Sequence, residues 1–236
     1  MLNNAETRGV VAPVVEPIAK ALLRMGLSAD MVTVIGTAIT VTTALWFIPR
    51  DNILPAIIIL LLFLAADVLD GTMARLSGTQ GPWGAWLDAT MDRVADVAVY
   101  GALLWWAVER DDTFSALLAW VVLAGAVAIS YAKARAEAVG ATANGGIAER
   151  AERFIVVGIG GLLYSFGLDW ALTAALGVLA VLVVITVIQR ATDVRSQLRP
   201  APGAAQSGPA APGGPADQSG PAAPADGSGP NDGGAA

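Results

Sequence analysis

The chain has 236 residues, 55% of them hydrophobic and only 14% charged, with a mean hydropathy of +0.61 and no Cys or His. These values exclude an ordinary soluble domain and predict an all-α, polytopic membrane protein without disulfides and without the usual transition-metal ligands. The net charge of −6 includes three Asp in the last 37 residues; without them the balance is only −3, which points to no particular partner, nucleic acid included.

Residues 1–30 form an N-terminal segment. Val11, Val14, Val15, Ile18, Leu22 and Met25 recur at helical spacing opposite Glu16, Lys20 and Arg24. This pattern predicts an amphipathic helix lying in the membrane interface and closed by Gly26. The opening residues lack a basic stretch followed by an apolar core, so no cleavable signal peptide is expected. Ser28, Asp30 and Thr33 then read as the capped start of the first span.

Residues 31–199 carry six apolar runs, at about 31–49, 53–66 continuing onward, 84–108, 114–131, 154–166 and 170–188. Six transmembrane helices put both termini on one side. Eleven Lys and Arg fall there, against Arg50 and Arg110 on the other side, which predicts cytoplasmic termini in the plasma membrane. The fifth run is short, so its helix is expected to start earlier, among Glu149 to Arg153. Residues 200–236 are Pro, Gly, Ala and Ser with almost nothing apolar and large, and predict a disordered tail.

Inside this apolar chain the second and third spans carry Asp67, Asp70, Asp88 and Asp92. Asp67 and Asp70 share a helix face, as do Asp88 and Asp92. Gly78, Gly81 and Pro82 supply a turn between them, so the two pairs can face each other. A carboxylate near the bilayer centre costs roughly 2.5 to 3.5 kcal/mol, so four together call for cationic compensation. All-oxygen donors suit a hard divalent ion such as magnesium or manganese. Acids paired with Arg75 and Arg93 merely as packing glue is the plainer reading, but two cations do not neutralise four carboxylates plus Asp96. Asp96, four residues beyond Asp92, reads either as support for the metal-binding acids or as a partner for a buried Arg, with no catalytic role. Gly71 and Gly84 let backbone or ligand come close, and Arg75 sits one turn beyond Gly71 where it could meet a phosphate.

The string D-x2-D-G-x2-A-R-x8-G-x3-D-x3-D, from Asp67 to Asp92, resembles the signature of the CDP-alcohol phosphatidyltransferase family. That resemblance implies a membrane enzyme moving a phosphatidyl group from CDP-diacylglycerol to an alcohol with release of CMP. It implies two Mg2+ ions, or Mn2+, on Asp67, Asp70, Asp88 and Asp92, with Asp92 also the general base. It also implies a donor site that includes Asp30, Met31, Val32, Thr33, Gly71, Arg75 and Gly81.

A second cluster holds Lys133, Arg135, Arg150 and Arg153, cations suited either to an anionic acceptor or to lipid headgroups. The string from Ser130 to Ala138, the pair Gly145-Gly146 and Glu149-Arg-Ala-Glu-Arg153 are similar to actinobacterial phosphatidylinositol phosphate synthases, with Ala151 where those have Pro. This implies a homodimer and, as acceptor, 1D-myo-inositol 3-phosphate, an inositol phosphate bound by Ser130, Lys133, Arg135, Arg153 and Arg190. Two alternatives stand beside it. One is phosphatidylglycerophosphate synthesis from glycerol 3-phosphate, and the other a divalent-cation transporter, since intramembrane carboxylates also line ion pathways.

Overall fold

The computed structural model describes residues 5–199, apart from the side chains of residues 5–12, 14 and 64–67. The expected tail, the Val11 and Val14 part of the amphipathic stripe and the Asp67 side chain lie outside the described residues. Seven helices follow in order: α1 (Ala5–Arg24), α2 (Ala29–Phe47), α3 (Ile53–Ser77), α4 (Pro82–Glu109), α5 (Thr113–Ala138), α6 (Arg150–Ser165) and α7 (Ala171–Leu198), with no strand among the described residues. The six apolar runs correspond to α2 through α7. By length and apolar composition α2, α3, α5 and α7 are able to cross a membrane. α6 begins at Arg150, inside the interval expected for it.

Packing closes α2 to α7 into a ring in the order α2, α4, α5, α7, α6, α3 and back to α2, while α1 lies against α3. The consecutive helices α3 and α4 carry the acidic motif but are not close-packed neighbours, because α2 inserts against both. Small side chains make tight contacts elsewhere in the ring. A Cβ on Gly161 would lie 2.6 Å from Ile57 Cδ1, and one on Gly160 would meet the Ala175 methyl and the Ala171 carbonyl, so α6 wedges between α3 and α7 only as glycine. The main core runs from Ala44 and Ile48 through Tyr100, Leu103 and Trp106 to Leu172, Leu176 and Leu179.

α1 packs against the ring through one face and leaves part of its apolar stripe outward. Ala19 is fully buried with Ala29 and Met73, flanked by Leu22 and Leu23, whereas Ile18 and Met25 point outward. Gly26 adopts φ 85 and ends the helix as expected. α3 ends at left-handed Gly78 (φ 68), where the Thr79 N–H returns to the Ala74 carbonyl at 3.1 Å, and α4 restarts with Pro82 in its first turn. The stretch 139–149 is pinned to α7. Gln197 accepts from the Thr142 N–H at 2.9 Å and donates to the Thr142 carbonyl at 2.7 Å, and Thr186 accepts from the Ala148 N–H at 3.1 Å.

At the end of the ring remote from the acidic motif, Asp51 takes a left-handed backbone (φ 64) and collects three donors. Trp106 Nε1 and the Tyr164 hydroxyl each reach it at 2.8 Å and Arg110 Nη1 at 3.0 Å, tying α4 and α6 to the α2–α3 turn. Burial alone would raise the Asp51 pKa, but the hydrogen bonds from Trp106 and Tyr164 and the Arg110 charge outweigh it and hold it below the usual aspartate value. A folded-state pKa below the unfolded one stabilises the fold above the unfolded value and ceases to do so as pH falls through the folded value. Thermal unfolding of Asp51→Asn should therefore lie below that of the wild type at pH 7, and the gap should close as pH is lowered toward 3. A pH-independent gap would show that the carboxylate charge contributes nothing.

Candidate active site

The N-terminal end of α2, the C-terminal end of α3 and the N-terminal end of α4 meet around a cavity of about 270 Å³. Asp30, Thr33, Asp70, Gly71, Arg75, Gly81 and Asp88 all line it, as do Thr79 and Gln80 of the turn. The gap exists because α3 and α4 are held apart by α2. Thr33 donates to Asp70 Oδ2 at 2.6 Å and to the Ala29 carbonyl at 3.2 Å, so one hydroxyl fixes an acid of the motif to the start of α2. Thr72 accepts from Arg75 Nη2 at 2.7 Å, which holds the guanidinium at the cavity. Met31 and Val32 do not line it. Asp30 and Thr33 share a face at three-residue spacing, and the two residues between them turn away.

A second cavity, about 420 Å³, lies between α4, α5, α6 and α7. Ser130, Lys133, Arg153 and Arg190 line it, with Arg93, Arg150 and the acids Asp92, Glu137 and Glu149. Asp88 lines both cavities. Arg135 does not line the second cavity, although it was expected beside Lys133. Two residues apart on a helix project about 200° apart, so one of that pair had to face elsewhere.

The cations of this cavity are not equivalent. Arg153 is 1% exposed and its Nη2 lies 2.6 Å from Asp96 Oδ2, with Asp96 wholly buried, while its Nη1 donates to the Ala148 carbonyl at 2.8 Å. Asp96 is thus the partner of a buried Arg, as its place on the α4 stripe suggested. Arg190 donates to the carbonyls of Ile129 at 2.7 Å and Gly145 at 3.1 Å, so it pins the 139–149 stretch as well as lining the cavity. In sequence Arg150 is one member of a basic cluster. Its Nη1 lies 2.7 Å from Asp92 Oδ1, and its Nε 3.5 Å from Asp96 Oδ1. It joins the motif's last acid to the buried pair. The signal was present as an i, i+3 arginine pair on α6, but its acidic partners lie more than fifty residues away in sequence. Lys133 makes no ion pair among the described residues and is exposed.

Asp70, Asp88 and Asp92 offer only oxygen ligands, and Asp88 makes no ion pair among the described residues, a donor set that fits a hard divalent cation. No three acidic side chains among the described residues are gathered at coordinating distance, and the Asp67 side chain lies outside them.

Several known proteins are similar to this chain in sequence and architecture. The family model for CDP-alcohol phosphatidyltransferase matches residues 27–188. The phosphatidylinositol phosphate synthase of Mycobacteroides abscessus is 43% identical over 201 residues, covering 84% of this chain and 89% of that protein. The Streptomyces avermitilis phosphatidylinositol phosphate synthase is 39% identical over 210 residues, covering 85% and 86%. Among solved structures, Mycobacterium tuberculosis phosphatidylinositol phosphate synthase with CDP-DAG bound superposes with a TM-score of 0.75 at 40% identity, over 77% of this chain and 94% of that one. The same enzyme in complex with manganese and citrate gives 0.74 at 40% identity, over 78% and 90%.

The buried pair makes Arg153 a poor residue on which to test ligand binding. Arg153→Ala should leave Asp96 charged and without its closest partner in the interior, costing about 3 to 5 kcal/mol. Its thermal unfolding should fall sharply, with partial recovery in Arg153→Ala/Asp96→Asn. A well-folded Arg153→Ala protein would contradict the structural weight given to the pair.

Proposed function

The chain belongs to the CDP-alcohol phosphatidyltransferase family, and on that premise we propose that it works as a phosphatidylinositol phosphate synthase with 1D-myo-inositol 3-phosphate as acceptor. It is an enzyme of phospholipid synthesis that transfers the phosphatidyl group of CDP-diacylglycerol and releases CMP. The observation that carries the reading is the pair of cavities meeting at Asp88, one acidic and open to a nucleotide diphosphate, the other lined by Lys133 and arginines. Family membership sets aside ion transport.

In this reading the donor occupies the α2–α3–α4 cavity, with its cytidine end toward Asp30 and Thr33 and its pyrophosphate near Arg75 and the glycines Gly71 and Gly81. The acceptor's phosphate lies in the second cavity toward Ser130, Lys133, Arg153 and Arg190. Arg150 holds the Asp92 carboxylate at the cavity wall. Asp92 takes the proton of the acceptor hydroxyl as its oxygen bonds to the phosphatidyl phosphorus, and the bond from that phosphorus to the CMP oxygen breaks. Divalent metal use is a property of the family. Two magnesium ions, with manganese as a substitute, would be held by Asp67, Asp70, Asp88 and Asp92 and would offset the pyrophosphate charge and acidify the hydroxyl.

The proposed membrane arrangement has α2 to α7 spanning, α1 in the interface through its outward Ile18 and Met25, and the acidic end of the ring on the cytoplasmic side of the plasma membrane. The proposed assembly is a homodimer, by likeness to the family.

The reading is tested with purified enzyme, CDP-diacylglycerol, magnesium and a panel of acceptors. CMP release should depend on inositol phosphate, with unphosphorylated inositol inactive. Preference for glycerol 3-phosphate would instead favour phosphatidylglycerophosphate synthesis. Lys133→Ala, which breaks no buried pair, should raise the acceptor KM by about one order of magnitude and leave the donor KM unchanged. A rise in both constants together would assign Lys133 to the donor or to headgroups.

A further inference from the structure

Trp83 and Trp86 stand at the start of α4, stacked with ring centroids 5.3 Å apart, and both are more than half exposed (62% and 58%). Exposed tryptophans at the end of a membrane bundle ordinarily serve as interfacial anchors, and that role needs only the ring. Trp83 does something more. Its indole Nε1 donates to Asp30 Oδ2 at 2.9 Å, a bond that spans 53 residues and fastens the first turn of α4 to the first turn of α2. Asp30 is not needed as the cap of α2, because Ser28 Oγ already accepts from the Met31 N–H at 3.2 Å. The second Asp30 oxygen, Oδ1, faces the Gly84 side of the donor cavity, 3.9 Å from where a Cβ on Gly84 would sit.

We infer that Trp83 is a positioning residue for the nucleotide end of the donor: it fixes one oxygen of Asp30 so that the other is presented to the cavity as a hydrogen-bond acceptor. Cytidine offers donors that such an oxygen can take, the exocyclic amine and the ribose hydroxyls. A carboxylate fixed at one oxygen has lost its rotational freedom before the ligand arrives, so less ordering remains to be done on binding. The inference rests on the reading of this cavity as the donor site, and it adds specificity for the nucleotide over the lipid end of CDP-diacylglycerol.

The test separates the ring from its N–H. Trp83→Phe keeps the aromatic surface and the stack with Trp86 but removes the bond to Asp30. Full-length Trp83→Phe should raise the KM for CDP-diacylglycerol roughly tenfold, with kcat, the acceptor KM and thermal unfolding near wild type. Trp86→Phe, equally exposed, should do none of this. In an Asp30→Ala background the Trp83→Phe change should add nothing further, because its effect passes through Asp30. An unchanged donor KM in Trp83→Phe would overturn the inference in favour of simple anchoring. So would a full tenfold effect persisting in Asp30→Ala, or an equal rise in both substrate constants. Wild-type enzyme in the same assay, with and without CDP-diacylglycerol, tests the donor reading separately.

Discussion

The ion pair between Asp96 and Arg153 anchors the network that holds Arg150 and Asp92 at the wall of the second cavity. In an apolar bundle an unpaired carboxylate or guanidinium is strongly disfavoured, so the two must meet and must be held together by the helices that carry them. Their meeting at 2.6 Å fixes α6 against α4 across the ring and orients the turn of α6 that also bears Arg150. Arg150 then reaches Asp92. The acid at the end of the motif is held through this chain of charges, and the glycine contacts of α6 with α3 and α7 keep that helix close enough for the network to form.

The second constraint is a gap. α3 and α4 carry the whole acidic motif and are joined by a tight turn, yet α2 packs against both and prevents them from closing on each other. A cavity opens where the carboxylates would otherwise collide, and the start of α2 supplies Asp30 and Thr33 to its wall. The second cavity is built by α5, α6 and α7 beside α4. The two share Asp88, on the face of α4 that lies between them.

Much of this was legible in sequence because the signals are local. Apolar runs located helices α2 to α7, the turn residues Gly78, Gly81 and Pro82 separated α3 from α4, and the family resemblance grouped Asp30 with Thr33 in one cavity and Lys133 with Ser130, Arg153 and Arg190 in the other. The same resemblance also named Met31, Val32 and Arg135, which do not line the cavities, because one or two residues along a helix from Asp30 or Lys133 a side chain projects elsewhere. What spacing does not carry is long-range pairing. That Arg153 is buried against Asp96, that Arg150 rather than solvent faces Asp92, and that Arg190 pins the backbone of 139–149 depend on contacts between helices far apart in the chain. Which face of α1 packs is likewise set between helices, since Ala19 approaches Ala29 and Met73 closely while the larger Ile18 is left outside.

The proposed placement of donor and acceptor in adjoining cavities that share Asp88 requires that both be bound together and that the phosphatidyl group pass directly from one to the other. Initial rates measured against CDP-diacylglycerol at several fixed inositol phosphate concentrations test this most directly. Direct transfer predicts double-reciprocal lines that intersect, and no exchange of labelled CMP into CDP-diacylglycerol when the acceptor is absent. Parallel lines with acceptor-independent exchange would mean that the phosphatidyl group first rests on the enzyme, and the account of two cavities joined at Asp88 would be contradicted.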